Sequence, residues 1–413
     1  MNKITASLIS PSEGSFSIEK TTSVPALKKH SAKMLSGAPM HFVHLKLKLS
    51  LLGIAMRCFS NPLNWIRSLR YLIRLRRKFL GDHSIQKMAY AGGKYYMGLY
   101  TPGWNSAVYK HFISAQLNDY IAVKKKTNRF NTVFMALTKK CALQCEHCFE
   151  WDSLNKKDIL SATKLNRMVR KLQDKGVSQI QFSGGEPLLK MDLLLGLLKE
   201  ARKTTDFWVL TSGFKLSSDN ARGLKTAGLT GVVISLDHFD AAEHNRFRGF
   251  KDAYYWVEQG VKNALENDLV VALSLCATKE FISEENLMTY MNLAKSMGVS
   301  FVQLLEPRAV GHYAGKDVLL HNVHMEVLER FFERMNFSKA FKNYPIITYH
   351  GYYQRRFGCF SAGVKGMYVD TDGDMNACPF CHSKTGNVLD DDFDGNLESM
   401  RVNGCPTYLS KTS

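Results

Sequence analysis

The chain has 413 residues, 45% of them hydrophobic, and a formal charge of +18, enough apolar material for one barrel-sized domain with appendages or for two domains. No window supplies the roughly 20 uninterrupted apolar residues of a membrane span, and Met1 to Thr22 has neither the basic start nor the apolar run of a signal peptide. Nine cysteines in such a chain, several only two or three residues apart, read as metal ligands in a reducing compartment and not as disulfides, so a cytoplasmic protein is expected.

The basic excess sits at the front. Between Lys28 and Lys78 there are twelve Lys or Arg and no Asp or Glu, whereas Asp390, Asp391, Asp392 and Asp394 cluster near the end. Residues 1–40, with Ser, Thr, Pro and Gly spread throughout, read as a poorly structured lead. Residues 41–125 read as a basic, aromatic-rich, mainly helical extension, in which Ile66, Leu69 and Ile73 share one helical face and Arg67, Arg70, Arg74 and Arg77 another. Such a helix packs its apolar face on the main domain with its arginines in water. It is also suited to the inner face of a membrane or to an acidic partner, and nucleic acid is the partner not expected. Tyr90, Tyr95, Tyr96, Tyr100 and Trp104, with Gly92, Gly93 and Gly103 among them, either pack or cover a pocket.

After Lys124, Lys125 and Lys126 an alternation begins. Strands are predicted at Thr132 to Leu137, Ser178 to Ser183, Asp206 to Thr211, Gly231 to Asp237, Leu269 to Leu275 and Val299 to Glu306. Helices fall between them at Ala162 to Lys175, Leu193 to Arg202, Asp219 to Ala227, Asp252 to Asn267 and Glu284 to Met297. Six such units with Val-, Ile-, Leu- and Phe-rich strands predict an α/β fold, a partial TIM-like (β/α)6 barrel over 126–320, with ligands at the carboxyl ends of the strands. A linking helix at 321–358 leads to a small unit at 359–413, built on a hairpin with Asp372-Gly373 at its tip.

The first strand runs into Cys141, Cys145 and Cys148, spaced C-x3-C-x2-C. Three thiolates hold three corners of a cubane iron–sulfur cluster and leave the fourth iron open, whereas structural zinc normally closes its tetrahedron with four protein ligands. Gly184-Gly185-Glu186-Pro187 follows Ser183 at the end of the second strand, where paired glycines permit close backbone approach and a carboxylate accepts from an ammonium group. The third strand ends in Thr211-Ser212-Gly213. The fourth ends in Ser235-Leu236-Asp237, with His244, Arg248 and Gly249 beyond it, and the sixth in Glu306-Pro307-Arg308. Each of these is weak alone, because polar residues are common at strand ends.

Together, in this order, the motifs resemble the radical S-adenosylmethionine (radical SAM) superfamily. The resemblance covers 130 to about 405 and implies that the [4Fe-4S] cluster on Cys141, Cys145 and Cys148 binds and cleaves S-adenosylmethionine, giving a 5′-deoxyadenosyl radical that abstracts hydrogen from substrate. It implies cofactor contacts for His147, Ser183, Gly184, Gly185, Glu186, Pro187, Ser212, Ser235, Asp237 and Arg308. The family's strand-end Pro-x-Gly-Arg is not matched, since Arg308 directly follows Pro307. In the fifth strand Ser274, Cys276 and Thr278 share a face, and Cys276 is either a small core residue or a hydrogen donor to a substrate radical.

Cys359, Cys378, Cys381 and Cys405 are spaced C-x18-C-x2-C-x23-C. Zinc suits such a set, but a Cys-x2-Cys hairpin after this barrel resembles the family's shorter "twitch" form of the SPASM extension, which implies one auxiliary [4Fe-4S] cluster. The resemblance further implies an oxidoreductase acting on a ribosomally made peptide, by oxidation, cross-linking or epimerisation, with an external electron donor such as flavodoxin or ferredoxin. A small-molecule or lipid-linked substrate is the alternative, and a noncatalytic iron–sulfur or zinc scaffold that binds nucleic acid the competing class.

Overall fold

The structure, a computed structural model, describes residues 33–123, 130–405 and 407–408. Most of the expected lead, and the Lys124 to Lys126 run, lie outside that range. The end of the lead does not: Lys33–Leu35 form β1 and Gly37 opens α1 (Gly37–Cys58), so regular structure begins before residue 41. Asn61 caps α2 (Pro62–Leu80) by accepting from the Leu63 amide, with Pro62 at the first position, where no amide is needed. β2 (Met88–Ala91) pairs antiparallel with β1 and with β3 (Lys94–Tyr96), and α3 (Ala107–Asn118) follows.

The rest of the chain alternates. β4 (Phe130–Ala136), α4 (Ala162–Asp174), β5 (Val177–Ser183), α5 (Met191–Glu200), β6 (Asp206–Thr211), α6 (Ser218–Ala227) and β7 (Leu229–Ser235) come first. α7 (Ala241–Arg248), α8 (Ala253–Glu266), β8 (Val270–Cys276), α9 (Glu284–Ser296), β9 (Phe301–Leu305) and α10 (Asn322–Phe337) continue it. Then come β10 (Ile346–Tyr349), α11 (His350–Phe357), β11 (Gly366–Val369), β12 (Met375–Asn376) and α12 (Phe393–Asn403).

The six predicted strands are β4 to β9, and they pair in parallel in chain order. Six is nevertheless too few. β10 adds in parallel to β9, and β11 adds in parallel to β4 while its other edge makes the expected hairpin with β12. The result is a nine-stranded, mostly parallel sheet ordered β10-β9-β8-β7-β6-β5-β4-β11-β12. The four-residue β10 is too short to display a period of two, which is why the pattern missed it.

Alternate residues of each strand face different cores. In β8, Val271, Leu273 and Leu275 pack outward with Val257 of α8 and Leu287 of α9, while Val270 and Ala272 pack inward with Trp208, Val233, Phe301 and Ile346. The sheet curls around that inner core. Tyr100 touches Phe134 of β4 with ring centroids 6.2 Å apart, touches His350 at 4.5 Å and accepts from Gln303 Nε2 of β9 at 2.5 Å, although β4 and β9 are far apart in strand order. The curl is not closed by hydrogen bonds, because the sheet ends at β10 on one side and β12 on the other.

The aromatic-rich segment packs. Ala89, Ala91, Tyr96 and Leu99 enter the inner core against Trp208 and Phe301, near the amino ends of the strands, and the Leu99 carbonyl accepts from Gln179 Nε2 at 3.1 Å. This plug is anchored by Lys87, whose buried ammonium donates to the carbonyls of Met335 (2.8 Å), Pro345 (2.9 Å) and Phe341 (3.3 Å).

Candidate active site

The cysteine loop leaves the carboxyl end of β4 and is pinned from several sides. The Cys141 amide donates to Asn155 Oδ1 at 3.0 Å, and the amides of Gln144 and Glu146 donate to the Arg248 and Phe247 carbonyls at 3.2 and 3.0 Å. From beyond β9, His312 donates its amide to the Cys148 carbonyl at 2.9 Å, sets Nδ1 2.9 Å from the Cys145 carbonyl and stacks on Trp151 with centroids 3.9 Å apart. His312 was not legible in the sequence; its only signal is Gly311, where a Cβ would fall 2.3 Å from the Cys148 carbonyl oxygen. Cys141, Cys145 and Cys148 pack in one apolar nest with Leu143, Phe250 and Trp256. Burial pushes the Cys141 and Cys148 thiols up to about 12.

The glycine pair serves that loop. A Cβ on Gly184 would lie 2.5 Å from the Thr138 carbonyl oxygen, and one on Gly185 would lie 2.3 Å from that of Lys140. The Gly185 and Glu186 amides donate to those same two carbonyls at 2.7 and 2.8 Å. The close approach anticipated for a ligand is therefore made by the cysteine loop's own backbone. Glu186 is likewise occupied: its carboxylate accepts from Thr211 Oγ1 (2.8 Å), the Ser212 amide (2.8 Å), Ser212 Oγ (2.6 Å) and the Leu188 amide (3.1 Å). Through these bonds Glu186 and Ser212 tie strand ends together, and Pro187 begins the one-turn helix that Glu186 caps.

Deeper in the mouth, Asp237 Oδ2 lies 2.5 Å from Arg248 Nη2, and Asp237 Oδ1 accepts from the Cys276 amide at 3.0 Å. Burial raises the Asp237 carboxyl, but Arg248, His147, His244 and the Cys276 amide together outweigh it and hold the group below the ordinary carboxylate range. Arg248 also reaches Cys145 Sγ at 3.5 Å, which places a fixed positive charge beside that sulfur. Cys276 is buried at the end of β8 on the inward-facing parity, and burial holds its thiol far above its usual range. Ser235 lies half-exposed at the end of β7, in register with Ser274.

Several polar atoms in this region are buried without a partner: Ser183 Oγ, Gln181 Oε1 and His147 Nδ1. Burial lowers His147 to about 4, so the ring is neutral. Among the described residues no three His, Cys, Asp or Glu side chains stand as a ready metal-holding group, but the three thiols share one nest with these unpaired polar atoms beside it, a donor set whose chemistry suits a cluster and a polar cofactor.

The four later cysteines are also brought together. Cys359 and Cys405 are within thiol–thiol hydrogen-bonding reach, the Cys381 amide donates to the Cys378 carbonyl at 3.0 Å, and Cys378 lies beside Cys405. Arg308 belongs to this group and not to the first one. It donates to Tyr408 at 2.7 Å, pairs with Glu306 at 3.4 Å and acts electrostatically on Cys378 and Cys405. Phe149, directly after Cys148, meets Phe380, between Cys378 and Cys381, with ring centroids 5.9 Å apart.

Comparison with known proteins agrees with this geometry. Residues 135–291 match the family model "Radical SAM superfamily". A GTP 3′,8-cyclase of Campylobacter jejuni (strain RM1221) is 31% identical over 187 residues, covering 43% of this chain and 57% of that protein, so the match spans little more than half the length of this relative. A probable GTP 3′,8-cyclase of Saccharolobus solfataricus is 27% identical over 276 residues, 62% of this chain and 85% of that one. Among solved structures, Streptococcus suis SuiB bound to precursor peptide SuiA shares the fold, with a TM-score of 0.53 and 15% identity over 69% of each chain. Residues 135–291 thus match the radical SAM model, and they lie in a curled, mostly parallel sheet whose open mouth holds two groups of cysteines.

Proposed function

We propose that the protein is a radical SAM oxidoreductase with two clusters, one on Cys141, Cys145 and Cys148 and an auxiliary one on Cys359, Cys378, Cys381 and Cys405, which oxidises, cross-links or epimerises a ribosomally made peptide. The observation that carries this reading is the Phe149–Phe380 contact, which brings the two cysteine groups to the same end of the curled sheet. When bound, the reduced cluster and S-adenosylmethionine supply the radical that removes hydrogen from substrate. The chain's own part is to seat and shield. Ser183 Oγ, Gln181 Oε1 and His147 Nδ1 offer unmade hydrogen bonds, Arg248 sets positive charge at Cys145, and the plug keeps water from the amino end of the lumen. The peptide class comes from the resemblance and has its physical opening at β10, whose outer edge is unpaired within the sheet and is a template for an extended chain.

A second reading takes a purine nucleotide as substrate, on the activity named for the relatives from C. jejuni and S. solfataricus. Anaerobic reconstitution tests both. Two cubanes give about eight irons per chain, and about four remain after Cys141, Cys145 and Cys148 are changed to Ala. Dithionite and S-adenosylmethionine then yield 5′-deoxyadenosine from the intact protein only. Zinc in place of the second set of irons overturns the auxiliary cluster. A cyclised product from GTP, with no mass change in candidate peptides, replaces the peptide reading by the second one.

A further inference from the structure

The outer face of the α1–α2 hairpin is unlike the rest of the surface. Of fourteen large hydrophobic side chains exposed among the described residues, seven lie on these two helices: Phe42, Leu45, Leu49, Met56, Leu63, Ile66 and Ile73. This overturns the expected burial of one helical face of α2, since Ile66 and Ile73 are 52% and 53% exposed and the contacts with the body are made by Trp65, Ser68 and Leu72. At about 100° per residue, Phe42, Leu45, Leu49 and Met56 fall within a stripe roughly 60° wide. That stripe is opposite Val43, Leu47 and Ile54, which face the body, and it is flanked by Lys46 and Arg57 on one side and Lys48 on the other.

We propose that this face docks on an anionic phospholipid leaflet, with the apolar stripe at the acyl boundary and the cations at headgroup phosphates. The charge supports that occupant. Nine Lys or Arg of the hairpin are exposed, and no Asp or Glu lies between Lys33 and Leu80. Two copies brought together through this face would set those cations against each other, and an acidic peptide would satisfy the charge but leave the stripe in water. No helix of the described residues is long and apolar enough to cross a membrane, so docking is parallel to the leaflet. A cleft of about 310 Å³ lined by Arg57, Lys110 and Trp104 opens beside the stripe and is large enough for a headgroup. At its far end α2 is fixed to the body: Phe79 contacts Tyr353, Phe357 and Phe360 at 5.5 to 5.9 Å, next to Cys359, so docking also orients the sheet's open side. The proposal is independent of which substrate is used.

The test is co-sedimentation of the reconstituted full-length protein with phosphatidylcholine vesicles, with and without 30% phosphatidylglycerol. The expected result is at least tenfold more binding to anionic vesicles. A Leu45→Glu/Leu49→Glu variant abolishes it and an Arg67→Glu/Arg70→Glu/Arg74→Glu variant reduces it tenfold, with thermal midpoint and 5′-deoxyadenosine formation unchanged in both. Equal recovery on neutral and anionic vesicles overturns the proposal, as does undiminished binding by the leucine variant. So does a concentration-dependent dimer in sedimentation velocity that the leucine variant dissolves, or capture of polyglutamate with no vesicle binding.

Discussion

With four donors on one carboxylate, Glu186 holds the end of β5 to the end of β6 and leaves the cysteine loop to rest on Gly184 and Gly185. Gly185→Ala should therefore act through the loop: with Lys140 displaced by the added Cβ, iron per chain after reconstitution falls by at least half while circular dichroism stays unchanged. Asp237 and Arg248 form a buried ion pair, and removing one partner strands the other. Arg248→Met is expected to cost about 3–5 kcal/mol in urea unfolding, and Asp237→Asn/Arg248→Met to cost less than Arg248→Met alone. A double-variant loss equal to the sum of the Asp237→Asn and Arg248→Met losses would show the pair to be uncoupled. The identity of these residues was legible from strand-end position, but their partners were not. A motif states which side chain stands at a strand end and is silent on which donors reach it from the next strand.

At the scale of elements, Lys87 joins the plug to the segment between α10 and β10. Burial holds its ammonium down to about 7, from an ordinary value of 10.5. Below pH 7 folded and unfolded chains both carry the proton. As pH rises through 7 the folded lysine releases it and the unfolded one keeps it, so stability rises between about pH 7 and 10.5, by up to about 1.4 kcal/mol per pH unit. Lys87→Met should remove that slope from thermal midpoints measured between pH 7 and 9, and a slope that survives assigns it to other groups. The same element shows the reach and the limit of pattern. Strands β4 to β9 repeat over enough residues to be read, since most of their outward positions are apolar. The plug was not legible, because whether Tyr96 covers a pocket or fills a core depends on Trp208 and Phe301, which lie far away in sequence. In α2 the periodicity identified an amphipathic helix and misassigned the side that packs, since arginines and isoleucines share the exposed arc.

For the whole molecule, the chain passes from β10 at one edge of the sheet to β11 near the other through the segment that carries Cys359. Phe380→Ala, which removes the ring contact between the two cysteine loops, should raise solvent access to both groups, measured as faster loss of visible cluster absorbance in air. An unchanged rate would assign the ring contact to packing alone. The plug has a different consequence, concerning where the molecule can be divided. The family model's match begins at residue 135, yet the inner surfaces of Trp208, Phe301 and Ile346 are covered by residues 89 to 99. The stretch that the family model matches is therefore not the stretch that folds by itself. The sheet and the front segment form one cooperative unit, and a chain begun at residue 130 should unfold without the sharp transition of the whole.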